Sequence, residues 1–270
     1  MEDVEGARSF HVGGESYDSF MGRYSRPLAA AFLDAIGVQP GGVALDVGCG
    51  PGALVGELSN RLGPAAVSAC DPSSSFVEEC GRRHPGVAIR VGRAEALPFD
   101  TNAFDYVLAQ LVLHFVTDPT AAAAECIRVA RPGGVVGACV WEFHDGMEML
   151  RHFWEAALAL DPDAPDEART LRFGRAGEIA DLLRSAGLAD VTETTLQVRS
   201  DYADFDDLWS GFLAGIGPAG SYCVGLSPDD RHRLRHEFFR QLGEPSGPFE
   251  LSAVASAALG RTRTSAAGRD

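Results

Sequence analysis

The sequence has few basic residues. Lys and Arg together number 23, Asp and Glu number 38, and the net charge at pH 7 is −15. A protein that binds nucleic acid or an anionic membrane surface needs a basic face, and the chain contains no dense run of basic residues. We therefore expect neither nucleic acid nor a membrane as a partner.

Long apolar runs and paired cysteines are also missing. No segment approaches the ~20 apolar residues that span a bilayer. The opening MEDVEGARSF has neither the basic start nor the apolar stretch of a secretory signal. The six cysteines form no C-x-x-C pair, which favours reduced core thiols over a disulfide framework or a zinc site. These absences predict a cytoplasmic globular protein with no metal.

The first half of the chain alternates short apolar segments with amphipathic ones. Strands are predicted at 43–47, 66–71 and 87–91, within 103–115, and at 135–141 after an RPGG turn at 131–134. Helices are predicted at 25–37, 53–63, 73–84 and 119–130. This alternation indicates an α/β fold of Rossmann-like type, in which a doubly wound, mostly parallel sheet carries helices on both faces.

The alternation is lost after Trp141. Helices are predicted at 147–160, 174–188, 205–216 and 227–243, and strands at 190–198 and 249–260. Between them lie an acidic, proline-bearing loop at 161–169 and a glycine-rich stretch at 217–225. Because no repeat and no clear linker interrupts the sequence, we predict a single domain over residues 1–270.

The stretch VALDVGCGPGALVG, residues 43–56, indicates a ligand site. Glycines at 48, 50 and 52 follow the predicted strand, and they let the backbone turn tightly and approach a ligand. A dinucleotide fold prefers a third glycine where this chain has Ala53. A carboxylate at Asp46 would repel a pyrophosphate, so it favours a ligand with a positive group, such as an ammonium or a sulfonium.

Asp71 closes the second predicted strand, where an acidic side chain can take both hydroxyls of a ribose. With GRAEALPFDTNAFDYVLAQLVLHF (92–115) and RVARPGGVV (128–136), it completes an ordered set of motifs. On these residues, from 17 to about 141, the chain resembles the class I S-adenosylmethionine-dependent methyltransferases, particularly the small-molecule type with a GDAEALPF signature. The resemblance implies seven strands with the last antiparallel, helical substrate-cap insertions, and a cofactor at the carboxyl ends of the first strands.

The resemblance also assigns roles to individual residues. Gly48, Gly50 and Gly52 would face the methionine portion of the cofactor, and Asp46 would lie near its ammonium. Asp71 would bind the ribose hydroxyls. The remaining expected cofactor contacts are Pro72 beside the adenine, Ala94 at the adenine edge, Gln110 at the methionine moiety, Arg23 at its carboxylate and Tyr17 as a lid. Arg93 stands where family members commonly carry an aspartate, and because arginine accepts no hydrogen bond, that contact falls to the Ala94 backbone.

The implied reaction is methyl transfer from S-adenosylmethionine to a small, largely apolar molecule by direct in-line displacement. Within the domain we expect an arm and helix over the cofactor at 1–37, a cofactor-binding core at 38–141, substrate-side insertions at 142–260 and a tail at 261–270. The candidate general bases are His114 and, second to it, His144.

Several alternatives stay open from the sequence. Asp46 and Asp71 are also suited to capping the turn and the helix that follow them, and His114 to packing against a loop. His232 and His236 have a metal-like spacing, but their arginine-rich helix favours a solvated face. An NAD-dependent oxidoreductase, or a methyltransferase-like scaffold that binds the cofactor without methyl transfer, are the rival functions. The acceptor and the oligomeric state are not predicted.

Overall fold

The computed structural model describes residues 20–264. Its strands are β1 Ala44–Val47, β2 Val67–Asp71, β3 Ala88–Val91, β4 Phe104–Gln110, β5 Ala130–Trp141, β6 Ala189–Tyr202 and β7 Phe249–Arg261. They form one sheet in the order β3-β2-β1-β4-β5-β7-β6. Strand β7 runs antiparallel to both of its neighbours, and the other pairs are parallel. The predicted mostly parallel sheet with an antiparallel last strand is confirmed.

Ten α-helices are present between residues 20 and 264. They are α1 Gly22–Ile36, α2 Ala53–Leu62, α3 Ser74–Arg83, α4 Pro119–Val129, α5 Glu148–Leu160, α6 Glu167–Thr170, α7 Glu178–Ser185, α8 Phe205–Leu213, α9 Gly217–Gly225 and α10 Pro228–Gln241. Several start as the sequence predicts. Ser227, for example, accepts a hydrogen bond from the backbone N–H of Asp230 and so caps α10. No helix in this part of the chain is long and apolar enough to cross a membrane.

Three segments differ from the prediction. The glycine-rich residues 217–225 form helix α9, which begins with Pro218 in its first turn, where proline costs no helical hydrogen bond. The last part of the acidic segment 161–169 enters helix α6, which Asp166 caps. Strand β5 begins before the RPGG residues, because Ala130 already pairs with Phe104 across a register shift.

The core lies on both faces of the sheet, because successive side chains of a buried strand point to opposite faces. In β4, Val107 belongs to the apolar cluster that contains residues of α4 and α7. Its neighbour Leu108 belongs to the other cluster, with residues of α1, α2, α5 and α8–α10. Each face is therefore covered by helices, as a doubly wound sheet requires.

The helices inserted around β6 form an aromatic cluster of their own. Phe153 of α5 stacks on Phe212 of α8 with ring centroids 4.3 Å apart and planes 4° apart. Phe238 of α10 meets both rings edge to face, an arrangement that aromatic pairs favour. These contacts hold α5, α8 and α10 together as a cap beside the sheet.

Candidate active site

The strand order reverses between β1 and β4, since β1 continues to β2 and β3 on one side and β4 to β5 on the other. In open α/β sheets ligands bind above the carboxyl ends of the strands at such a point. The structure has a cavity of about 250 Å³ there. Its wall combines the segments that follow β1 to β5 with the first turn of α1 and the start of α9.

The loop 48–52, called the glycine loop here, forms part of this wall. A Cβ added to Gly48 would lie 2.5 Å from Cγ2 of Val112, so the loop needs glycine there to pack on the segment after β4. Gly50 lines the cavity at φ +50°, and a Cβ at this residue would meet open space. The two glycines thus bring bare backbone to the cavity.

Gly52 is not among the residues that line the cavity, and its contact with the cofactor stays a prediction. A Cβ at Gly52 would lie 2.5 Å from the ring of His84 and 2.9 Å from Sγ of Cys80. The residue also adopts φ +100°. Its glycine is required by close packing of the loop against α3, which is a structural role, and Pro51 and Ala53 line the cavity on either side of it.

Asp46, near the end of β1, has its carboxylate at the base of the cavity. The residue is 1% exposed, and its Oδ2 has no hydrogen-bond partner among residues 20–264. Burial, with a smaller contribution from the nearby Asp71, raises the pKa of Asp46 to about 8, and the backbone N–H of Val55 opposes this rise. A cation bound in the cavity would offset this cost and favour the carboxylate.

Asp71, at the end of β2, ties two turns together. Its Oδ2 accepts from the backbone N–H of Gly50 at 2.9 Å, and its Oδ1 accepts from that of Ser73 at 2.9 Å. Burial raises the pKa of Asp71, and these two hydrogen bonds lower it. Each oxygen keeps a second lone pair. The side chain therefore holds the glycine loop in place and also lines the cavity.

The adenine-side residues predicted from the sequence also line the cavity, namely Pro72, Arg93 and Ala94. Arg93 donates to Oγ1 of Thr117 at 3.3 Å and pairs with Glu95 at 3.6 Å. Its guanidinium is thus turned to neighbouring side chains. Because arginine accepts no hydrogen bond, the contact of the Ala94 backbone with the adenine stays the prediction here.

Gln110 closes β4 and joins the sheet to α1. Its Nε2 donates to the backbone carbonyl of Ser25 at 2.8 Å. Oε1 of Gln110 and Oγ of Ser25 are buried without hydrogen-bond partners in the described part of the chain, and both residues line the cavity. This pair offers one acceptor and one hydroxyl to a bound ligand.

His114, in the short 3₁₀ helix Leu113–Phe115, lines the cavity as well. Its Nδ1 bonds to the backbone carbonyl of Arg172, which only accepts, so the hydrogen is assigned to Nδ1 and Nε2 carries a lone pair. Nε2 has no partner within residues 20–264. Burial lowers the pKa of His114 to about 4, against the opposing effect of the Arg172 carbonyl, so the ring is neutral at physiological pH.

Two other predicted residues lie elsewhere, and Tyr17 falls outside the described residues. Arg23 is not at the cavity because its guanidinium forms an ion pair with Asp207 of α8, donates to the carbonyl of Asp201, and lies 5.0 Å from the Tyr202 ring centroid. It fastens α1 to the cap. His144 is also away from the cavity wall, where its Nε2 accepts from Nε of Arg175 at 3.2 Å.

The structure brings residues to the cavity that the sequence did not single out as site residues. Trp141 at the end of β5 has an Nε1–H with no partner among the described residues. Glu167 of α6 and the segment 216–219 at the start of α9 complete the wall. Position after a parallel strand was the available signal for Trp141, whereas nothing in the local sequence distinguishes Glu167.

The outlying histidines do not form a metal centre. His232 and His236 lie on α10 beside Arg233 and Glu237 in a shallow surface depression. Between residues 20 and 264, no three His, Cys, Asp or Glu side chains are placed to hold a metal ion.

Known proteins share both the motifs and the fold. A family profile described as a methyltransferase domain matches residues 45–138. Nocamycin O-methyltransferase from Saccharothrix syringae is 28% identical over 271 residues, which cover 92% of this chain and 95% of that protein. A demethylmenaquinone methyltransferase from Roseiflexus castenholzii is 34% identical over 171 residues, 56% of this chain and 69% of the relative.

The chain belongs to the class I S-adenosylmethionine-dependent methyltransferases. It is an enzyme of methyl transfer to small molecules, and its cofactor is S-adenosylmethionine. Two further curated relatives match less completely, because this methyltransferase spans 36% of the length of one and 42% of the other. Phosphoethanolamine N-methyltransferase 2 from Haemonchus contortus, solved with S-adenosyl-L-methionine, shares the fold at a TM-score of 0.56 and 15% identity, over 94% of this chain and 60% of that chain.

The cavity of the methyltransferase fits its cofactor chemically. S-adenosylmethionine carries a sulfonium and an ammonium, and Asp46 offers a buried carboxyl oxygen that lacks a partner. Its ribose hydroxyls match the free lone pairs of Asp71, and the bare backbone of the glycine loop leaves room beside them. Five cavity-lining residues in the described chain hold an orphaned polar atom: Ser25, Asp46, Gln110, His114 and Trp141. Such atoms are costly unless a ligand or water satisfies them.

Proposed function

We propose that the enzyme methylates a hydroxyl oxygen of a small, largely apolar molecule. The observation that carries this proposal is the state of His114, whose Nε2 lone pair is buried, neutral and without a partner among residues 20–264 at the cavity wall. Such a nitrogen accepts the hydrogen of a hydroxyl group. The name of the Saccharothrix relative, an O-methyltransferase of nocamycin, is consistent with oxygen as the methylated atom.

In this proposal the cofactor is held by residues at the carboxyl ends of β1, β2 and β4 and in the turns that follow β1, β2 and β3. Asp46 faces its positive charge, Gly48 and Gly50 leave space for it, and Asp71 receives the ribose hydroxyls. Pro72 and Ala94 flank the adenine, and Gln110 contacts the methionine moiety. When bound, S-adenosylmethionine supplies an activated methyl group on a positively charged sulfur.

The protein then has two tasks, orientation and the exclusion of water. His114 accepts a hydrogen bond from the acceptor hydroxyl and takes up its proton as the oxygen gains the methyl group. A base with a pKa of about 4 is weak, so its larger contribution is to orient the hydroxyl. Phe143 and Leu150 cover the wall beside it with apolar surface.

The proposal assigns the parts of the domain as the sequence suggested. Residues 38–141 carry the cofactor contacts, helix α1 covers them, and residues 142–260 select the acceptor. We further propose that the enzyme acts in the cytoplasm on a freely diffusing acceptor and not on nucleic acid. The net charge of −15 and the six free, buried cysteines support this.

A label-transfer assay tests the proposal. The full chain is incubated with S-adenosylmethionine labelled in the methyl group and with a panel of hydroxylated aromatic and alicyclic compounds. We expect labelled methyl ethers and stoichiometric S-adenosylhomocysteine. Cofactor binding without label transfer to any panel member contradicts the proposed function and favours a non-methylating scaffold, and binding of NAD in place of S-adenosylhomocysteine favours an oxidoreductase.

A further inference from the structure

Glu167 is a buried acid on the side of the cavity formed by the cap. It is the first residue of α6, is 4% exposed, and lines the cavity together with Phe143 and Leu150. Its Oε2 accepts from Nε1 of Trp154 at 2.8 Å. The side chain of Glu167 makes no second hydrogen bond within residues 20–264, so its Oε1 is available to an occupant of the cavity.

Among the described residues, Glu167 forms no ion pair, because the guanidinium of Arg151 is directed at two other carboxylates. Arg151 pairs with Asp166 at 3.0 Å and with Glu155 at 3.5 Å. Burial raises the pKa of Glu167 to about 7, and the Asp166 carboxylate adds to that effect, while the Trp154 hydrogen bond and Arg151 oppose it. A buried acid of this kind gains most from a group that donates a hydrogen bond to it or brings a positive charge.

The charges around the whole cavity also favour a ligand group that donates a hydrogen bond or carries a positive charge. Four of the described lining residues are acids, namely Asp46, Asp71, Glu95 and Glu167, and Arg93 is the one guanidinium among them. Arg93 pairs with Glu95 in the segment after β3, on the cofactor side. The cap side therefore offers a carboxyl group and apolar surface, and no cation that would hold an anionic acceptor.

We propose that Glu167 binds a hydrogen-bond-donating group of the methyl acceptor, a hydroxyl or an ammonium, and that the site rejects carboxylates at this position. This inference rests on the proposed function, because it takes the occupant of the cap side to be the methyl acceptor. Glu167 thus determines specificity for the acceptor. It contacts a part of the acceptor away from the atom that receives the methyl group.

Two substitutions distinguish recognition of the acceptor by Glu167 from a purely structural role of its contact with Trp154. Glutamine in its place keeps an oxygen that accepts from Trp154 but carries no negative charge. Glu167→Gln therefore tests recognition with the Trp154 contact retained, and Glu167→Asp keeps the charge on a shorter side chain. Glu155→Gln is the matched control, since Glu155 contacts the same Arg151 outside the cavity.

The test measures binding by calorimetry to the full chain loaded with S-adenosylhomocysteine, at about pH 8, where Glu167 is mostly ionised. The probes are naphthylmethylamine, naphthylmethanol and naphthoate, which differ in one substituent on the same ring. In the wild type we expect the amine or the alcohol to bind about tenfold tighter than the carboxylate. Tighter binding of the amine identifies ammonium as the recognised group, and equal binding of amine and alcohol identifies the hydroxyl type of donor.

The same binding measurements on the variants test whether Glu167 causes this preference. We expect Glu167→Gln to reduce the preference of the amine over the carboxylate by about tenfold, Glu167→Asp to retain the order, and Glu155→Gln to change nothing, with S-adenosylhomocysteine affinity equal in all. An undiminished preference in Glu167→Gln, tightest binding of the carboxylate, or no probe binding while S-adenosylhomocysteine binds would each overturn the inference. Failure of the wild type to bind S-adenosylhomocysteine is a different result, because it removes the proposed function itself.

Discussion

The two sides of the cavity are built by different means. On the cofactor side, backbone groups and one carboxylate form the wall. Asp71 fixes the glycine loop through the N–H of Gly50 and the start of α3 through the N–H of Ser73. On the cap side, side chains from distant segments meet. Glu167 depends on Trp154, and His114 depends on the carbonyl of Arg172.

This contrast separates cofactor binding from acceptor choice. The cofactor side is held by hydrogen bonds from the backbone N–H groups of Gly50 and Ser73 to the side chain of Asp71. The cap side is held by packing of α5, α8 and α10, so its lining can change without disturbing the glycine loop. Substitutions on the two sides should therefore affect different measurements.

The largest effect is expected from Asp71→Ala. It removes two backbone hydrogen bonds and a cavity carboxylate at once, so we expect S-adenosylhomocysteine affinity to fall at least about a hundredfold. Calorimetric titration measures it. Asp100→Ala, an exposed aspartate in the segment after β3, is the control and should bind as wild type; an unchanged affinity in Asp71→Ala would remove Asp71 from the cofactor site.

A smaller effect is expected from Gly50→Ala. The residue has φ +50° and lines the cavity, so a methyl group both strains the backbone and occupies space at the wall. We expect S-adenosylhomocysteine binding to weaken about tenfold and stability to fall by ~1 kcal/mol. Gly37→Ala, at the left-handed end of α1 with open space around its Cβ, should show the loss of stability alone. Equal cofactor affinity in the two variants would contradict the role given to Gly50.

These two predictions concern the part of the molecule that the sequence anticipates. Strand β1, the glycine loop and Asp71 occupy fewer than about thirty consecutive residues, and their spacing follows from how a parallel strand enters a turn. The same reasoning predicted a site at Gln110, the last residue of β4, and at His114, shortly after it. The packing of Gly52 on His84 was not predicted, because it depends on how α3 returns to the loop.

The cap was less predictable, because its contacts join residues far apart in sequence. Arg23 looks like a free charge in an arm, yet its partner Asp207 lies 184 residues later. Residues 217–225 look like a loop because of their glycines. In the structure Gly220 lets α9 approach the backbone of Gly215, where a Cβ would lie 2.8 Å from a carbonyl carbon. Periodicity carries no information about such contacts.

On the cap side, His114→Ala should lower turnover about tenfold to a hundredfold and leave S-adenosylhomocysteine affinity unchanged. The pKa of about 4 adds a pH test. Because the neutral ring is the active form and is populated above that pKa, turnover by the wild type should not decline through His114 as the pH falls from about 8 to 5. His144→Ala, outside the cavity, should behave as wild type. A rate that falls with an apparent pKa near 6.5, and loses that dependence in His114→Ala, would show that the ring is not buried as described.

The smallest effect is expected from Asp46→Asn in the ligand-free protein, and it runs opposite to the usual loss of stability. Burial raises the pKa of Asp46 from 3.8 to about 8, so the folded state binds its proton more tightly than the unfolded state. The stability that this provides is present below pH ~4 and is lost as the pH rises towards 8. Asparagine cannot ionise. The melting temperature of Asp46→Asn should therefore exceed that of the wild type by a few degrees near pH 8, and by less near pH 5.

Scanning calorimetry at the two pH values, with and without S-adenosylhomocysteine, measures this difference. Asp163→Asn, at an exposed aspartate between α5 and α6, controls for the loss of one negative charge from a chain with a net charge of −15. Saturating ligand should stabilise the wild type more than the variant, because asparagine at position 46 carries no charge to pair with the positive group of the ligand. A variant less stable than wild type at pH 8 would mean that Asp46 is already compensated in the free enzyme. In that case the orphaned oxygen would not be a recognition element, and the glycine loop with Asp71 would remain as the determinants of the cofactor side.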